Sequence, residues 1–344
     1  MMRYRQFGNT DLKLSEICFG AMRFTSTASH VTLTESRDRE QEEAQNREGR
    51  RALEAALAGG VNCIHSSGDY GTRWMLSDIL VRHPKRKEIH HVIKMTSPDY
   101  EEGEFDPKVL RQSVEDSLRD LHTDRIAIVQ HLQRGPHVPK AEAYAESGDR
   151  RRIDALPDML DSLRETFEAL RQEGKVGHLI TFPHTMGYAT AALDTGAYDG
   201  VAHFFNLLEP EALPLLDRLK REGKGFLAIR PLLQGMLTDK RIDRRGLHET
   251  DLKLRSGWDS RYALLDKIRE RIGEPNEPWT RYALKFALAH EAVTSLVASG
   301  NSVTQVEALL EACDGQYPSR ELLDSVYAVV EEVGMPPKAD LFGL

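Results

Sequence analysis

The stretch Ala58-Gly-Gly-Val-Asn-Cys-Ile-His-Ser-Ser-Gly-Asp-Tyr-Gly71 packs a helix end, a buried strand and a polar strand end into one short run. Gly59-Gly60 suits the left-handed cap that closes a helix. Val61–Ile64 is a short apolar run of the length expected for a strand buried on both faces. His65 ends that run, and Asp69 and Tyr70 follow in the loop. Helix, glycine cap, apolar strand and polar end together form the repeating unit of a parallel α/β fold.

The same unit recurs along the chain. The apolar runs Glu16–Phe19, Val61–Ile64, His91–Met95, Ile126–Gln130, Gly177–Thr181, Gly200–Phe204, Gly225–Ile229 and Ser295–Ala298 read as strands. Helical stripes lie between them, such as Leu110, Val114, Leu118 and Leu121, or Leu160, Leu163, Phe167 and Leu170. Gly174 and Gly223 close further helices. Eight such units predict an α/β chain closed into a (β/α)8 TIM barrel with right-handed crossovers. Tyr4 to Cys18 alternates around Gly8, Asn9 and Asp11, which predicts an N-terminal β-hairpin. An extra C-terminal helix is expected around Leu322–Val333. The reading is one barrel domain over residues 1–344, with the long segments Phe24–Asn46 and Leu132–Ala155 following strand ends.

Composition narrows the partners. A 344-residue chain with 40% hydrophobic and 29% charged residues suits a soluble globular protein with a sizeable core. A net charge of −8 argues against nucleic acid as the main partner. No apolar run reaches the ~20 residues of a membrane span, and the first residues lack an apolar signal core. Cys18, Cys63 and Cys313 have no CxxC spacing, and Cys18 and Cys63 sit within apolar runs as small buried hydrophobes. A cytoplasmic location is expected; the oligomeric state is left unassigned.

Barrel chemistry belongs where strands end. Those positions hold His65, Asp69, Tyr70, Lys94, His131, His184, Asn206, Arg230 and the run Ser299-Gly300-Asn301-Ser302. A lysine ammonium near a tyrosine favours its phenolate, and a neutral histidine can orient a carbonyl oxygen. That combination suits proton delivery to a carbonyl while a hydride arrives from a nicotinamide. Each residue taken singly has a plainer reading: Lys94 as a solvated strand end, His131 as a core residue, Tyr70 as packing for Trp74. A metal site on His65, His131 and Asp69 is the weaker reading, because strands two and four are not neighbours and no HxxxH pair lies on one helix. No metal is expected.

The chain resembles the aldo-keto reductase family over nearly its whole length. The resemblance is carried by Phe7–Met22, Ala58–Gly71, Val92-Ile-Lys94, Ile128-Val-Gln-His131, Phe205–Leu208, Arg230–Gly235 and Val297–Glu307. It implies NADP(H)-dependent reduction of an aldehyde or ketone without a metal. Tyr70 would be proton donor, Lys94 its acidifier and His131 the carbonyl orienter. The implied cofactor contacts are Gly20, Met22, Arg230, Pro231, Leu232, Ser299, Gly300, Asn301 and Gln305. Several positions depart from the family pattern. His65 stands where a catalytic aspartate is usual, and Asp69 is a possible substitute. Thr181-Phe182-Pro183-His184 replaces the serine-asparagine pair that holds the nicotinamide carboxamide. Ala202 replaces a glutamine, and Ala308-Leu309 an adenine-contacting glutamate-asparagine. These changes leave two alternatives beside the reductase: cofactor-independent proton transfer of isomerase or lyase type, and a non-catalytic ligand-binding barrel.

Overall fold

The computed structural model describes residues 2–25, 39–99, 103–134, 142 and 145–337. Strands β1 (Tyr4–Gln6) and β2 (Lys13–Ser15) pair antiparallel with Arg5 opposite Leu14. Eight further strands follow: β3 (Ile17–Gly20), β4 (Cys63–Ser67), β5 (His90–Thr96), β6 (Ile126–Leu132), β7 (Val176–Thr181), β8 (Gly200–Phe204), β9 (Gly225–Ile229) and β10 (Ser295–Ala298). All run parallel, each beside its successor, and β10 pairs with β3 to close the barrel. The fold expectation holds. Five of the eight strands depart from the expected bounds, two of them by more than one residue. β4 starts two residues later than its apolar run and continues through Ser66 and Ser67, which pair with Ile93 and Lys94. β6 extends to Leu132 in the same way. The backbone ladder, rather than apolarity, sets where each strand stops.

Closure gives every strand an inner and an outer face. Cys18, Cys63, Val92, Ile128, Ile180, Ala202, Phe204 and Leu227 fill the interior. Ile17, Phe19, Ile64, Ile93, Val129, Leu179, Val201 and Phe226 pack outward beneath the helices. Phe7, carried on the hairpin, plugs the floor and is fully buried. Gly225 is required there, because a Cβ on it would stand 2.3 Å from the Phe7 ring.

A buried carboxylate ties the seam. Leu296 N donates to Glu16 O at 2.8 Å where the last strand meets the first. The Glu16 side chain accepts from Arg5 Nε at 2.7 Å and Tyr317 Oη at 2.6 Å. Arg5 also donates to the carbonyls of Leu288, His290 and Val293. A carboxylate this buried is tolerable because a guanidinium and a hydroxyl both satisfy it. The C-terminal helix α11 (Arg320–Val333) lays Leu323, Val326 and Val329 against Leu264, Leu265 and Ile268 of α8 (Asp259–Ile272). No helix among the described residues is long and apolar enough to cross a membrane.

Removing the floor plug should be costly. Phe7→Ala is expected to destabilise the fold by about 3–5 kcal/mol, read from the urea unfolding midpoint. A loss below about 1 kcal/mol would show that the hairpin is not part of the barrel core.

Candidate active site

The inner face of neighbouring strands brings His65, Ser67, Lys94 and Gln130 to one region near the top of the barrel. Ser67 lies opposite Lys94, and Lys94 opposite Gln130, across the ladder. A single turn, Gly68–Tyr70, follows β4 and reverses at Gly71, whose φ of 67° is left-handed. Thr72 Oγ1 donates to Ala21 O at 2.7 Å and pins the turn to the end of β3. The turn brings Asp69 to Lys94, with Nζ to Oδ2 at 3.0 Å, and lays the Tyr70 ring under the ammonium, 5.0 Å from its centroid. The carboxylate partner of the lysine therefore comes from the loop, in a chain whose strand position holds His65.

Burial sets the protonation of this group. It pulls the Lys94 ammonium below its ordinary value, while Asp69 pulls it back up. Burial pushes the Asp69 carboxyl up, but the Lys94 charge together with hydrogen bonds from Ser67, Lys94 and the backbone outweighs this and leaves it lowered. Burial also pushes the Tyr70 hydroxyl well up, Asp69 adds to this, and Arg134 and Arg230 oppose it. The expected acidification of Tyr70 by Lys94 does not emerge in the free protein: the lowering charges are Arg134 and Arg230, burial and Asp69 outweigh them, and Tyr70 holds its proton. His65 is brought down to about 4 by burial and by Lys94, so its ring is neutral. Its Nε2 lies 3.2 Å from Gln130 Oε1, and the amide carbonyl accepts from the imidazole N–H. The Gln130 amide nitrogen is buried and makes no hydrogen bond.

His131 does not join this set. Neighbouring residues of a strand face opposite sides, and with Gln130 inside, His131 lies outside. Its Nε2 donates to Ser97 O at 2.7 Å, and its Nδ1 accepts from Tyr198 Oη at 3.3 Å. Phe105 packs edge-on against the ring. The expected carbonyl orienter is a buried histidine between β6 and the helix layer. Since His65 and His131 face opposite sides of the wall, they cannot converge with Asp69 on a metal. Among the described residues no group of three histidine, cysteine or acidic side chains is placed to hold one. The period-two pattern Ile128, Gln130, Leu132 was the signal that could have placed Gln130 on the inner face.

Across the mouth stand Phe182, His184 and Phe204. His184 stacks on Phe204, and the Arg230 guanidinium lies 4.3 Å from the Phe204 ring centroid. His184 and Arg230 both adopt positive φ, at 66° and 59°. The expected cofactor positions fall at two places. Gly20 lies against Ser299, whose Oγ donates to Gly20 O at 2.6 Å. Half-buried Met22, Arg230 and Leu232 and buried Pro231 follow β3 and β9. Gly300 is buried, while Asn301 and Gln305 are exposed at the start of α10 (Val303–Glu311). There Gln305 Oε1 accepts from Asn301 N at 3.1 Å, and Glu48 Oε1 from Val303 N at 3.4 Å. A nicotinamide dinucleotide fits these residues in kind: the turn into the N-terminus of α10 is rich in backbone amides, which suit phosphate, although Gln305 and Glu48 already take two of them. At Phe182-Pro183 no side-chain amide is offered to a carboxamide. Asn206 is buried, accepting from Leu208 N and Glu209 N and donating to Glu209 Oε2, and serves the backbone.

A closed parallel barrel with a lysine, tyrosine and carboxylate at its strand ends is the architecture of a barrel enzyme. The aldo/keto reductase family model matches residues 16–326, and the chain belongs to that family. It is an oxidoreductase of the aldo-keto reductase type. The chain is 24% identical to L-galactose dehydrogenase of Arabidopsis thaliana, over 96% of this chain and 94% of that one. It is 22% identical to the uncharacterized oxidoreductase YqkF of Bacillus subtilis, over 93% and 94%. Among solved structures, the holo form of the aldo-keto reductase AKR11C1 from Bacillus halodurans superposes with a TM-score of 0.69 at 22% identity, covering 96% of each chain. Glycerol dehydrogenase AKR11B4 from Gluconobacter oxydans gives 0.67 at 19%, covering 97% of each. These structures share the fold.

Buried histidines give the fold a pH dependence. Burial holds His65, His91 and His131 near about 4, against 6.5 for the ordinary side chain. Between those values the unfolded chain binds more protons, so stability falls as pH drops from 6.5 towards 4. Chemical unfolding across that range should show the fall. A flat profile would contradict the neutral, enclosed state of these rings.

Proposed function

We propose that this protein reduces an aldehyde or ketone of a sugar-like or similarly polar compound, with a nicotinamide dinucleotide, NADP(H), as reductant and Tyr70 as proton donor. The observation that carries the reading is the Lys94–Asp69 pair at 3.0 Å against the face of Tyr70. The names of two similar proteins, an L-galactose and a glycerol dehydrogenase, agree with a polar hydroxyl or carbonyl substrate.

Gly20, Met22, Arg230, Pro231 and Leu232 would border the nicotinamide half of the dinucleotide, and Ser299, Gly300, Asn301 and Gln305 its phosphate end. When bound, the dinucleotide supplies a hydride to the carbonyl carbon. Tyr70 Oη gives its proton to the carbonyl oxygen, and an alcohol results. The Lys94 ammonium stabilises the phenolate left on Tyr70, which is where a cation lowers the barrier. Asp69 keeps Lys94 protonated and aimed. Neutral His65, fixed by Gln130, adds no opposing charge beside the ammonium. The Phe182-Pro183 pair is the feature that favours cofactor-free proton transfer on the same residues, because it offers the carboxamide no partner.

Titration with NADPH, and separately NADH, followed by nicotinamide fluorescence is expected to saturate in the micromolar range. Tyr70→Phe should lower kcat/KM for an aldehyde at least ~100-fold while dinucleotide affinity persists. His131→Gln should change kcat only a few-fold and lower thermal stability instead. Absence of binding by both dinucleotides would overturn the redox reading in favour of proton transfer.

A further inference from the structure

The corner that follows β7 ties up its own polar groups. Phe182 N donates to His131 O at 2.9 Å, and Pro183 has no N–H to give. The Pro183 carbonyl accepts from Arg152 Nη2 at 2.5 Å. Arg152, on the helix Asp149–Asp154, is fully buried, with its Nη1 3.4 Å from Asp149 Oδ1. Its guanidinium lies 4.1 Å from the centroid of the Tyr188 ring, on the helix Met186–Asp194. Asp149 Oδ1 accepts in turn from Thr185 Oγ1 at 2.6 Å. Tyr188 packs outside the strand wall, so the Pro183 carbonyl is turned into the helix layer and away from the barrel interior.

The interior side of the same corner is apolar. Ile180 faces inward, so Thr181 faces the helices and Phe182 returns to the inner cluster with Ala202 and Phe204. The Phe182 and Phe204 ring centroids are 5.5 Å apart, and His184 stacks on Phe204 and meets Phe182 at 4.3 Å. The Arg230 guanidinium stands 4.3 Å from the centroid of that same Phe204 ring. Arg230 is read above as bordering the nicotinamide half of a dinucleotide, so the aromatic corner borders it as well. A carboxamide brought here leaves water and meets ring faces and a methyl group.

We propose that Phe182 and Pro183, with the Pro183 carbonyl held back by Arg152, set a cofactor specificity that ignores the carboxamide: the dinucleotide is accepted equally when another small group replaces the amide. The inference rests on the carbonyl-reduction reading and narrows it to pyridine dinucleotides whose ring substituent is free to vary. A polar group that loses water and gains no hydrogen bond adds nothing to affinity over an apolar group of its shape. Where an amide does find its partner, removing the donor ordinarily weakens binding by roughly tenfold.

The test uses the full chain and reads binding by calorimetry, so the different reduction potentials of the ligands do not enter. NADP+ is compared with 3-acetylpyridine adenine dinucleotide phosphate, which carries a methyl ketone in place of the amide. The NAD+ pair is run alongside, since the amide is common to both. Each pair is expected to bind within ~threefold of one another. Pro183→Asn, which restores an N–H and brings a side-chain amide to the corner, should shift the ratio at least ~fivefold towards the carboxamide form. The comparison in the unaltered protein decides the matter even if that variant fails to fold. Carboxamide forms binding at least ~tenfold more tightly than their acetyl analogues would overturn the proposal and leave the redox reading standing. An unchanged ratio in folded Pro183→Asn would overturn it too, because the ring would then lie away from this corner. Binding of none of the four dinucleotides would remove the redox reading and the specificity together.

Discussion

Closure of eight parallel strands fixes the side of the wall on which each side chain falls, and the site depends on that division. Once β10 pairs with β3, no strand can shift by one residue without exchanging its inner and outer sets. Inner Cys63, His65 and Ser67 then stand beside inner Val92 and Lys94, and these beside Ile128 and Gln130. The polar members gather near the top because the floor is filled by Phe7 and the apolar layers above it. Chemistry in this chain is placed by register, with loops supplying the remainder.

The short turn after β4 supplies the remainder that matters most. A carboxylate on the strand would be rigid and buried; Asp69 instead arrives from a loop and is half exposed. It still reaches Lys94, so the ammonium keeps a counter-charge although His65 occupies the strand. Neutral His65 accommodates this arrangement, since a charged imidazole there would compete with Lys94 for the same acid. The pairing of a loop carboxylate with a strand histidine gives the altered positions a common physical sense around the lysine. The changes at Phe182 and Pro183 have no such compensation in the described residues.

Much of the fold could be read from the chain, because apolar runs and glycine caps report strands and helix ends directly. Tyr70 and Lys94 were legible too, as polar residues at strand ends. His131 lies on the other face for a physical reason: one residue along a strand reverses the side, and the β6 ladder continues past Gln130 to Leu132. Asp69 could be named but not placed, since its reach depends on the left-handed turn at Gly71.

Transfer of a hydride to a carbonyl at Tyr70 is tested most directly by incubating the protein with an aldehyde and a reduced nicotinamide dinucleotide carrying two deuterium atoms at C4, then examining the alcohol by mass spectrometry. One deuterium is expected on the carbinol carbon, with loss of that transfer in Tyr70→Phe. An alcohol without deuterium, or no alcohol while the dinucleotide stays bound and reduced, would contradict it.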